Sequence, residues 1–186
     1  MFKHTGIRIL ASLIFSMLYV PVQAQLNPAQ LLPPTPVCEE DAHFTDWNFW
    51  HGRWRVMAGP DKDLLAGENT ITPIENGCAF LEHWQGQGGS SSGQSLNYYN
   101  PVTGKWRQVW VAPPGYMIDI EGELKDGSMV LEGEIFYYAR GLRFPFRGTW
   151  TPNADGSVRQ YFQQYDPEAE TWNDWFDGKY VRLTDE

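Results

Sequence analysis

From Trp47 onward, short runs in which apolar and polar residues alternate are separated by clusters of turn-forming residues. Such alternation places one row of side chains on each face of a β-strand, so each run predicts a strand. The dipeptides Asn76-Gly77, Asp126-Gly127 and Asp155-Gly156 suit tight hairpin turns, because Asn, Asp and Gly accept positive φ angles. Ten strands are predicted, at residues 47–58, 64–74, 78–86, 94–99, 105–112, 116–124, 128–138, 142–151, 157–165 and 171–183.

This succession of strands predicts an all-β fold in which strands that follow one another pair with one another. Short strands with a turn about every dozen residues are typical of a barrel or a sandwich. Closure into a barrel is favoured, because an open sheet of this size would expose unpaired edges. We therefore expect an antiparallel up-and-down β-barrel of about ten strands, without a helix of about ten residues or more.

The first residues have the organisation of a secretory signal peptide. Lys3 and Arg8 form the basic region, an apolar run covers residues 9–20, and small residues precede a cleavage point after Ala24. A membrane anchor is the alternative, but it needs an apolar stretch nearer ~20 residues. The residue immediately after the cleavage point is Gln25 and not a cysteine, which disfavours a lipoprotein. We expect a protein exported to the periplasm or secreted, with no membrane segment in its mature form.

Removal of residues 1–24 leaves 162 residues, which is enough for one domain with a core. Residues 25–44 contain four prolines and no periodic pattern, and they are predicted to form an extended leader. Residues 45–186 are then the barrel domain.

The chain is acidic, with a formal net charge of −9 that becomes −11 when the two basic residues of the signal peptide are removed. Phosphate backbones and anionic lipid surfaces repel such a chain, so nucleic acid is not expected as a partner. The sequence does not predict an oligomeric state.

Cys38 and Cys78 are the two cysteines of the chain. Disulfides persist outside the cytosol, so export and the even number predict a bond between them. A loop of this length would gain about 4 kcal/mol of stability in the chain-entropy model. Two free thiols, or half of a metal site, are the alternatives.

Four of the predicted strands carry a row in which a polar residue stands between two aromatic residues on one face. Rows of this kind that face inward would form an aromatic-walled cavity with polar groups at mid-height, the usual composition of a small-molecule pocket. Alternatively, the aromatic residues only fill the core, since aromatics favour strands. The rows are Phe80, Glu82 and Trp84; Trp106, Gln108 and Trp110; Tyr161, Gln163 and Tyr165; and Trp172, Asp174 and Phe176.

Glu82 is the candidate catalytic residue. A carboxylate buried between Phe80 and Trp84 needs a partner or a raised pKa. Arg147 and Arg159 are candidate partners by charge, and Gln108 by hydrogen bonding. Glu82 would then serve either as an acid or base, or as one half of a structural ion pair.

Other site chemistry has little support in the sequence. His43, His51 and His83 lack a metal-ligand spacing such as His-x-His, so neither a metal site nor a haem pocket is expected. The segment Gly89-Ser90-Ser91-Ser92-Gly93 has the Gly-x-Ser-x-Gly spacing, but no helix is predicted after it, so the strand-turn-helix elbow of serine chemistry is not expected. No cofactor is predicted.

A series of motifs covers residues 44–183, and it includes Phe49-Trp50-His51-Gly52-Arg53-Trp54, Asn76-Gly77-Cys78-Ala79, Leu81-Glu82-His83-Trp84, Gly104-Lys105-Trp106-Arg107-Gln108-Val109-Trp110-Val111, Thr149-Trp150-Thr151-Pro152 and Phe176-Asp177-Gly178-Lys179-Tyr180. In this order the motifs resemble the bacterial family known as domain of unknown function 1579. The family has no established activity to carry over to this chain.

The Gly-x-Trp opening of the domain is similar to that of calycins such as lipocalins and fatty-acid-binding proteins. The similarity implies structural roles for Gly52 and Trp54, with the Trp54 ring closing one end of the barrel. The family's usual Phe-Asp-Phe-Trp start is replaced here by Trp47-Asn48-Phe49-Trp50. An amide therefore stands at Asn48 in place of a carboxylate, which argues against proton transfer at that position.

Three hypotheses about function follow. The leading one is a barrel that binds a small apolar or aromatic molecule. The second is a cofactor-free hydrolase, isomerase or cyclase in which Glu82 is the acid or base. The third is a structural or protein-interaction domain whose tryptophans only pack. The predicted pocket residues are Glu82, Trp84, Gln108, Trp110, Arg147 and Gln160.

Overall fold

The computed structural model describes Cys38, residues 41–113 and residues 115–184. These residues belong to one unit, Thr35–Glu186. The predicted signal peptide at residues 1–24 and the first part of the predicted leader lie outside the described residues. Both therefore stay predictions.

Ten antiparallel strands form a closed barrel. Each strand pairs with the strands that precede and follow it in the sequence, and the first pairs with the last. The predicted all-β up-and-down barrel is thereby confirmed. The strands are β1 (Gly52–Ala58), β2 (Leu64–Ile74), β3 (Ala79–Gly86), β4 (Ser92–Asn100), β5 (Lys105–Ala112), β6 (Tyr116–Lys125), β7 (Ser128–Tyr137), β8 (Leu142–Pro152), β9 (Val158–Asp166) and β10 (Thr171–Arg182).

The helical elements of the described residues are short 3-10 turns, at Ala42–Thr45, Asn48–Trp50, Glu75–Gly77, Gln87–Gly89 and Tyr138–Arg140. Between β6 and β7, Asp126 and Gly127 have φ angles of 49° and 79°. Two consecutive positive φ angles are what a two-residue hairpin of type I′ requires. The Asp-Gly dipeptide therefore fixes this turn, as the sequence predicts.

The predicted start of the first strand at residue 47 is wrong. Residues 48–50 form a 3-10 turn, and β1 begins only at Gly52. Apolar residues at positions 47, 49 and 50 look like the start of a strand, but Trp47 and Trp50 point to the same side and pack against each other with ring centroids 5.1 Å apart. Residues 42–44, predicted as extended leader, are also part of a 3-10 turn.

Tryptophans fill the end of the barrel at which the N-terminal segment enters. Trp47 makes edge-to-face contacts with Trp106 and Trp150, at 5.5 and 5.0 Å between ring centroids. All five tryptophans of this group are fully buried, and we call them the tryptophan end of the barrel: Trp47, Trp50, Trp54, Trp106 and Trp150. Edge-to-face pairs of this kind stabilise by more than their buried area alone.

Trp54 is held by two neighbours. Its indole nitrogen donates a hydrogen bond to the Trp50 carbonyl at 2.8 Å, and the Arg182 guanidinium lies 4.1 Å above its ring. Arg182 also donates to the His51 carbonyl. A Cβ at Gly52 would lie 2.3 Å from Arg182, and the φ of Gly52 is 129°. The Gly-x-Trp opening therefore leaves the space that the last strand uses to cover the tryptophan.

A disulfide joins Cys38 to Cys78, which precedes β3. The predicted bond is confirmed. It ties the residues before the N-terminal 3-10 turns to the turn between β2 and β3. That turn lies at the tryptophan end, since Trp47, Trp50 and the hairpin are on the side where β1 begins and β2 ends.

Candidate functional site

A cavity of about 280 Å³ occupies the half of the barrel that lies away from the tryptophan end. Its volume of about 280 Å³ lies just below the ~300 Å³ at which small-molecule pockets usually begin. Side chains from six of the ten strands, together with a serine of the β3–β4 loop, form its wall. The lining residues are Ala66, Asn69, Glu82, Trp84, Ser91, Gln108, Trp110, Tyr116, Ile118, Gln160, Phe162, Trp175, Phe176 and Tyr180.

Glu82 lies on the inner face of β3 and is 3% exposed. Asn69 of β2 donates from Nδ2 to Glu82 Oε1 at 2.7 Å, and Ser95 of β4 donates from Oγ to Oε2 at 2.5 Å. Gln108 of β5 reaches Oε2 from Nε2 at 3.4 Å. Three neighbouring strands thus direct hydrogen-bond donors at one carboxyl group.

The hydrogen bonds continue away from Glu82 on both sides. Asn97 Nδ2 donates to Ser95 Oγ at 2.7 Å, and Gln108 Nε2 donates to Asn97 Oδ1 at 2.9 Å. On the other side, Asn69 Nδ2 donates to the Tyr180 hydroxyl at 3.0 Å, and Tyr180 donates to Gln160 Oε1. We call these seven residues the polar network: Asn69, Glu82, Ser95, Asn97, Gln108, Gln160 and Tyr180.

Burial raises the pKa of Glu82 from 4.5 to about 7, because a charged carboxylate loses its hydration inside the barrel. The hydrogen bonds from Ser95 and Asn69 oppose this rise by stabilising the charged form. Burial and the nearby charge of Glu82 raise the pKa of Tyr180 well above its usual value, so Tyr180 stays neutral. Glu82 can therefore gain or lose a proton near neutral pH.

The polar network leaves one acceptor unused. Asn69 is 2% exposed, and its Oδ1 has no hydrogen-bond partner among the described residues. Buried polar atoms are nearly always paired, and an unpaired one lowers stability by about 1–3 kcal/mol. The oxygen is itself enclosed by protein atoms, so this unpaired acceptor lies within the wall and not on the cavity surface.

Partly exposed aromatic rings surround the polar network toward the end of the barrel opposite the tryptophan end, which we call the open end. Trp84 donates from its indole nitrogen to Ser91 Oγ at 3.0 Å, and Trp175 donates to the Tyr137 hydroxyl at 3.3 Å. The Trp110 indole nitrogen is buried without a well-aligned hydrogen bond. It lies close to the Tyr116 hydroxyl. Burial raises the pKa of Tyr116, and the nearby Trp110 nitrogen opposes this rise.

A glycine makes room for one of these rings. A Cβ at Gly93 of β4 would lie 2.2 Å from the Trp110 ring. The Trp110 ring therefore occupies the place that a side chain at Gly93 would need. A larger residue at this position would push Trp110 into the space that the cavity occupies.

Five of the six predicted pocket residues line the cavity: Glu82, Trp84, Gln108, Trp110 and Gln160. The inner rows of β3 and β5 have the predicted order, with the polar residue between two aromatic residues. The sixth residue, Arg147, does not belong to the lining. Its guanidinium donates to Gln163 at 2.8 Å and lies 4.3 Å above the Trp172 ring.

In the two other aromatic rows, only one of the six residues faces the cavity. Tyr161, Gln163 and Asp174 bond to one another on the outer face, and Arg159 pairs there with Asp177 at 2.9 Å. Arg159 and Arg147 are therefore not partners of Glu82, and the expected ion pair is replaced by hydrogen bonds from neutral side chains. Phe176 of the fourth row does line the cavity.

Sequence reasoning missed several wall and network residues. Asn69, Ser95 and Asn97 alternate with outward residues on their strands, so the signal was present but lacked aromatic neighbours in the same row. Trp175 was not detectable in this way. A register shift between Asp174 and Phe176 opposite β9 places adjacent residues 175 and 176 on the same wall, which breaks the period of two.

No group of three or more His, Cys, Asp or Glu side chains that could hold a metal ion occurs in residues 41–113 and 115–184. In the same part of the chain, no helix has the length and apolar character needed to span a bilayer.

The fold and the site define a class of protein: a closed ten-stranded antiparallel β-barrel, with a buried aromatic cluster at one end and a partly polar internal cavity at the other. No known family model matches the chain. Comparison with curated proteins also gives no match.

Proposed function

We propose that this protein binds a small, largely apolar or aromatic molecule in the barrel cavity. The observation that carries the proposal is the cavity of about 280 Å³ with aromatic walls and the polar network at its base. Aromatic walls remove apolar surface of a ligand from water, and a few polar groups fix its orientation.

The difference between the two ends of the barrel supports binding over a purely structural role. Tryptophans at the closed end are fully buried against one another. At the other end, Trp84, Trp110 and Trp175 surround open space instead of filling it. A barrel whose aromatic residues served only to pack would gain stability by filling this space, because dispersion contacts are lost around a void.

A second candidate function is an enzyme with Glu82 as general acid or base. The specific observation in its favour is the Glu82 pKa of about 7, which suits proton transfer at neutral pH. Arg147 is too far outside to stabilise developing charge, but Tyr180 and Gln160 line the same cavity. Turnover of a bound compound, abolished in Glu82→Gln while binding persists, would support this candidate.

We further propose that the protein is exported and belongs to the family of domain of unknown function 1579. The disulfide between Cys38 and Cys78 supports export, because such bonds persist outside the cytosol. The motif order described above supports the family relationship.

Binding is tested by tryptophan fluorescence titration with a library of one-ring and two-ring compounds, using wild type and two variants. Ala66→Phe adds a ring to the cavity wall, and we expect it to weaken binding roughly tenfold or more. Leu65→Phe adds the same ring at a neighbouring residue that is not part of the lining, and we expect it to bind like wild type.

Two results would contradict the proposal. The first is a library in which no compound class alters the fluorescence, which would favour a structural or protein-interaction domain. The second is equal affinity of a ligand for Ala66→Phe and wild type, which would place the binding site outside the cavity.

A further inference from the structure

Charge is distributed very unevenly between the cavity and the outer face of the barrel. Glu82 is the acidic residue of the cavity wall, and no Lys, Arg or His belongs to the wall within the described part of the chain. Arginines pair on the outer face instead, as Arg107 does with Asp119 at 2.5 Å and Arg159 with Asp177 at 2.9 Å. An ionised Glu82 thus has no cationic partner inside the barrel.

The hydrogen bonds around Glu82 leave acceptor positions unused rather than donors. An ionised carboxyl group offers about four acceptor positions, and Glu82 uses three of them, one in a long contact of 3.4 Å. A ligand group that donates a hydrogen bond would satisfy the remaining position of Glu82, whereas a second carboxylate would not.

The remaining wall is aromatic. The faces of Trp, Tyr and Phe rings carry partial negative charge and attract cations, with the largest effect in sites that exclude water. Besides Tyr180 of the polar network, six such rings line the cavity: Trp84, Trp110, Tyr116, Phe162, Trp175 and Phe176. The chain also has a net charge of −9, which raises the local concentration of cations around the protein.

We propose that the ligand of this cavity is a small organic ammonium cation that carries an aromatic or apolar group. The ammonium group donates to Glu82, and the apolar part lies among the tryptophan rings at the end of the barrel opposite the tryptophan end. The proposal rests on the binding function proposed above and adds the charge of the ligand. A carboxylic acid ligand is disfavoured, because it would place a second negative charge beside Glu82 without a cation.

The pH dependence of binding follows from the same arrangement. Glu82 becomes charged as the pH rises through about 7. An amine that stays protonated over this range should bind tighter at the higher pH, by roughly tenfold between about pH 5.5 and about pH 8. An uncharged ligand should not show this gain.

The test compares three probes of matched size: 2-phenylethylamine, 2-phenylethanol and 3-phenylpropanoate. Affinities are measured by tryptophan fluorescence at about pH 5.5 and about pH 8, the two sides of the Glu82 titration. We expect the amine to bind wild type about tenfold tighter than the alcohol at the higher pH, and the acid to bind weakest.

Two variants locate the effect. Glu82→Gln removes the buried charge, and it should abolish the preference for the amine while the alcohol still binds. Glu68→Gln removes the same charge from the exposed outer face of the same region, and it should leave the preference unchanged. The comparison of probes on wild type stands by itself if Glu82→Gln does not fold.

Equal or tighter binding of the alcohol than of the amine to wild type would overturn the proposal, as would an amine preference that Glu82→Gln leaves intact. In both cases a probe still binds, so the proposed binding function would survive. Absence of amine binding together with a silent compound library would overturn both.

Discussion

At the scale of single residues, Glu82 has the largest influence on how the molecule responds to its surroundings. Its carboxyl group is buried without a cation and is held by hydrogen bonds from Asn69, Ser95 and Gln108. Neutral donors stabilise the ionised form less than an opposite charge would, so burial dominates and the pKa rises. This makes Glu82 sensitive to pH in a range where ordinary carboxyl groups are fully charged.

Stability should therefore fall as the pH rises from about 4.5 to about 7. The folded state binds the Glu82 proton more tightly than the unfolded chain, whose pKa has the ordinary value of 4.5. The free energy of unfolding should decrease by about 3 kcal/mol over this range and stay constant above it. Urea denaturation at a series of pH values measures the slope.

The Glu82→Gln variant should remove most of this slope, because its side chain does not titrate. Glu68→Gln, on the exposed outer face, should keep the wild-type slope. If the free energy of unfolding of Glu82→Gln had the wild-type dependence on pH, a group other than Glu82 would be responsible for it.

At the scale of elements, the N-terminal segment of residues 41–51 acts as part of the core rather than as a connection. Two of its side chains, Trp47 and Trp50, pack within the tryptophan end of the barrel. Phe44 and His43 contact Tyr99 of β4 from the same segment. Closing one end in this way lets the opposite end keep a cavity without exposing the core to water.

Trp47→Ala should therefore destabilise the barrel strongly. Truncation of a fully buried tryptophan leaves a void and removes its ring contacts, which corresponds to a loss of about 3–5 kcal/mol. Trp172→Ala is the matched control, since Trp172 lies outside the core with Arg147 above its ring. We expect its loss to stay near ~1 kcal/mol. Similar losses for both variants in urea denaturation would contradict a core role for Trp47.

The strand β10 shows how an irregular element shapes the site. A regular strand would place Trp175 and Phe176 on opposite faces. The register shift opposite β9 brings both rings to the cavity wall, and Gly178 leaves space for Phe176, whose ring lies 2.5 Å from the place of an added Cβ. This irregularity therefore provides two of the seven aromatic rings of the wall.

At the scale of the whole molecule, closure of the barrel stabilises the folded sheet, whereas the disulfide acts mainly on the unfolded chain. Closure between β1 and β10 leaves no unpaired edge in the sheet. The bond between Cys38 and Cys78 spans 40 residues and ties the N-terminal segment to the β2–β3 turn. It restricts the unfolded chain more than it shapes the sheet.

The Cys38→Ser, Cys78→Ser double variant should fold into the same barrel with lower stability. The chain-entropy model gives a loss of about 4 kcal/mol for a loop of this length. Circular dichroism should retain the β-sheet signal, and urea denaturation should give the difference from oxidised wild type. Wild type in reductant is the control and should match the variant. Loss of the β-sheet signal under native conditions would contradict this expectation.

The sequence determined the barrel itself. Alternation of apolar and polar residues and the Asn-Gly and Asp-Gly turns are local features, so they predicted ten strands and their order. The same alternation placed Glu82 and Gln108 between aromatic residues, because the period of a strand is two. Two cysteines in a chain expected to be exported were enough to predict their bond.

The tertiary structure decided which face of each strand is inside, and local patterns contain no such information. Rows of the same composition therefore face the cavity on β3 and β5, but not on β9 nor at Trp172 and Asp174. The charge of the cavity was decided in the same way. Whether Arg147 meets Glu82 or Trp172 depends on the face that β8 turns inward, and the outward position of Arg147 leaves Glu82 with neutral partners only.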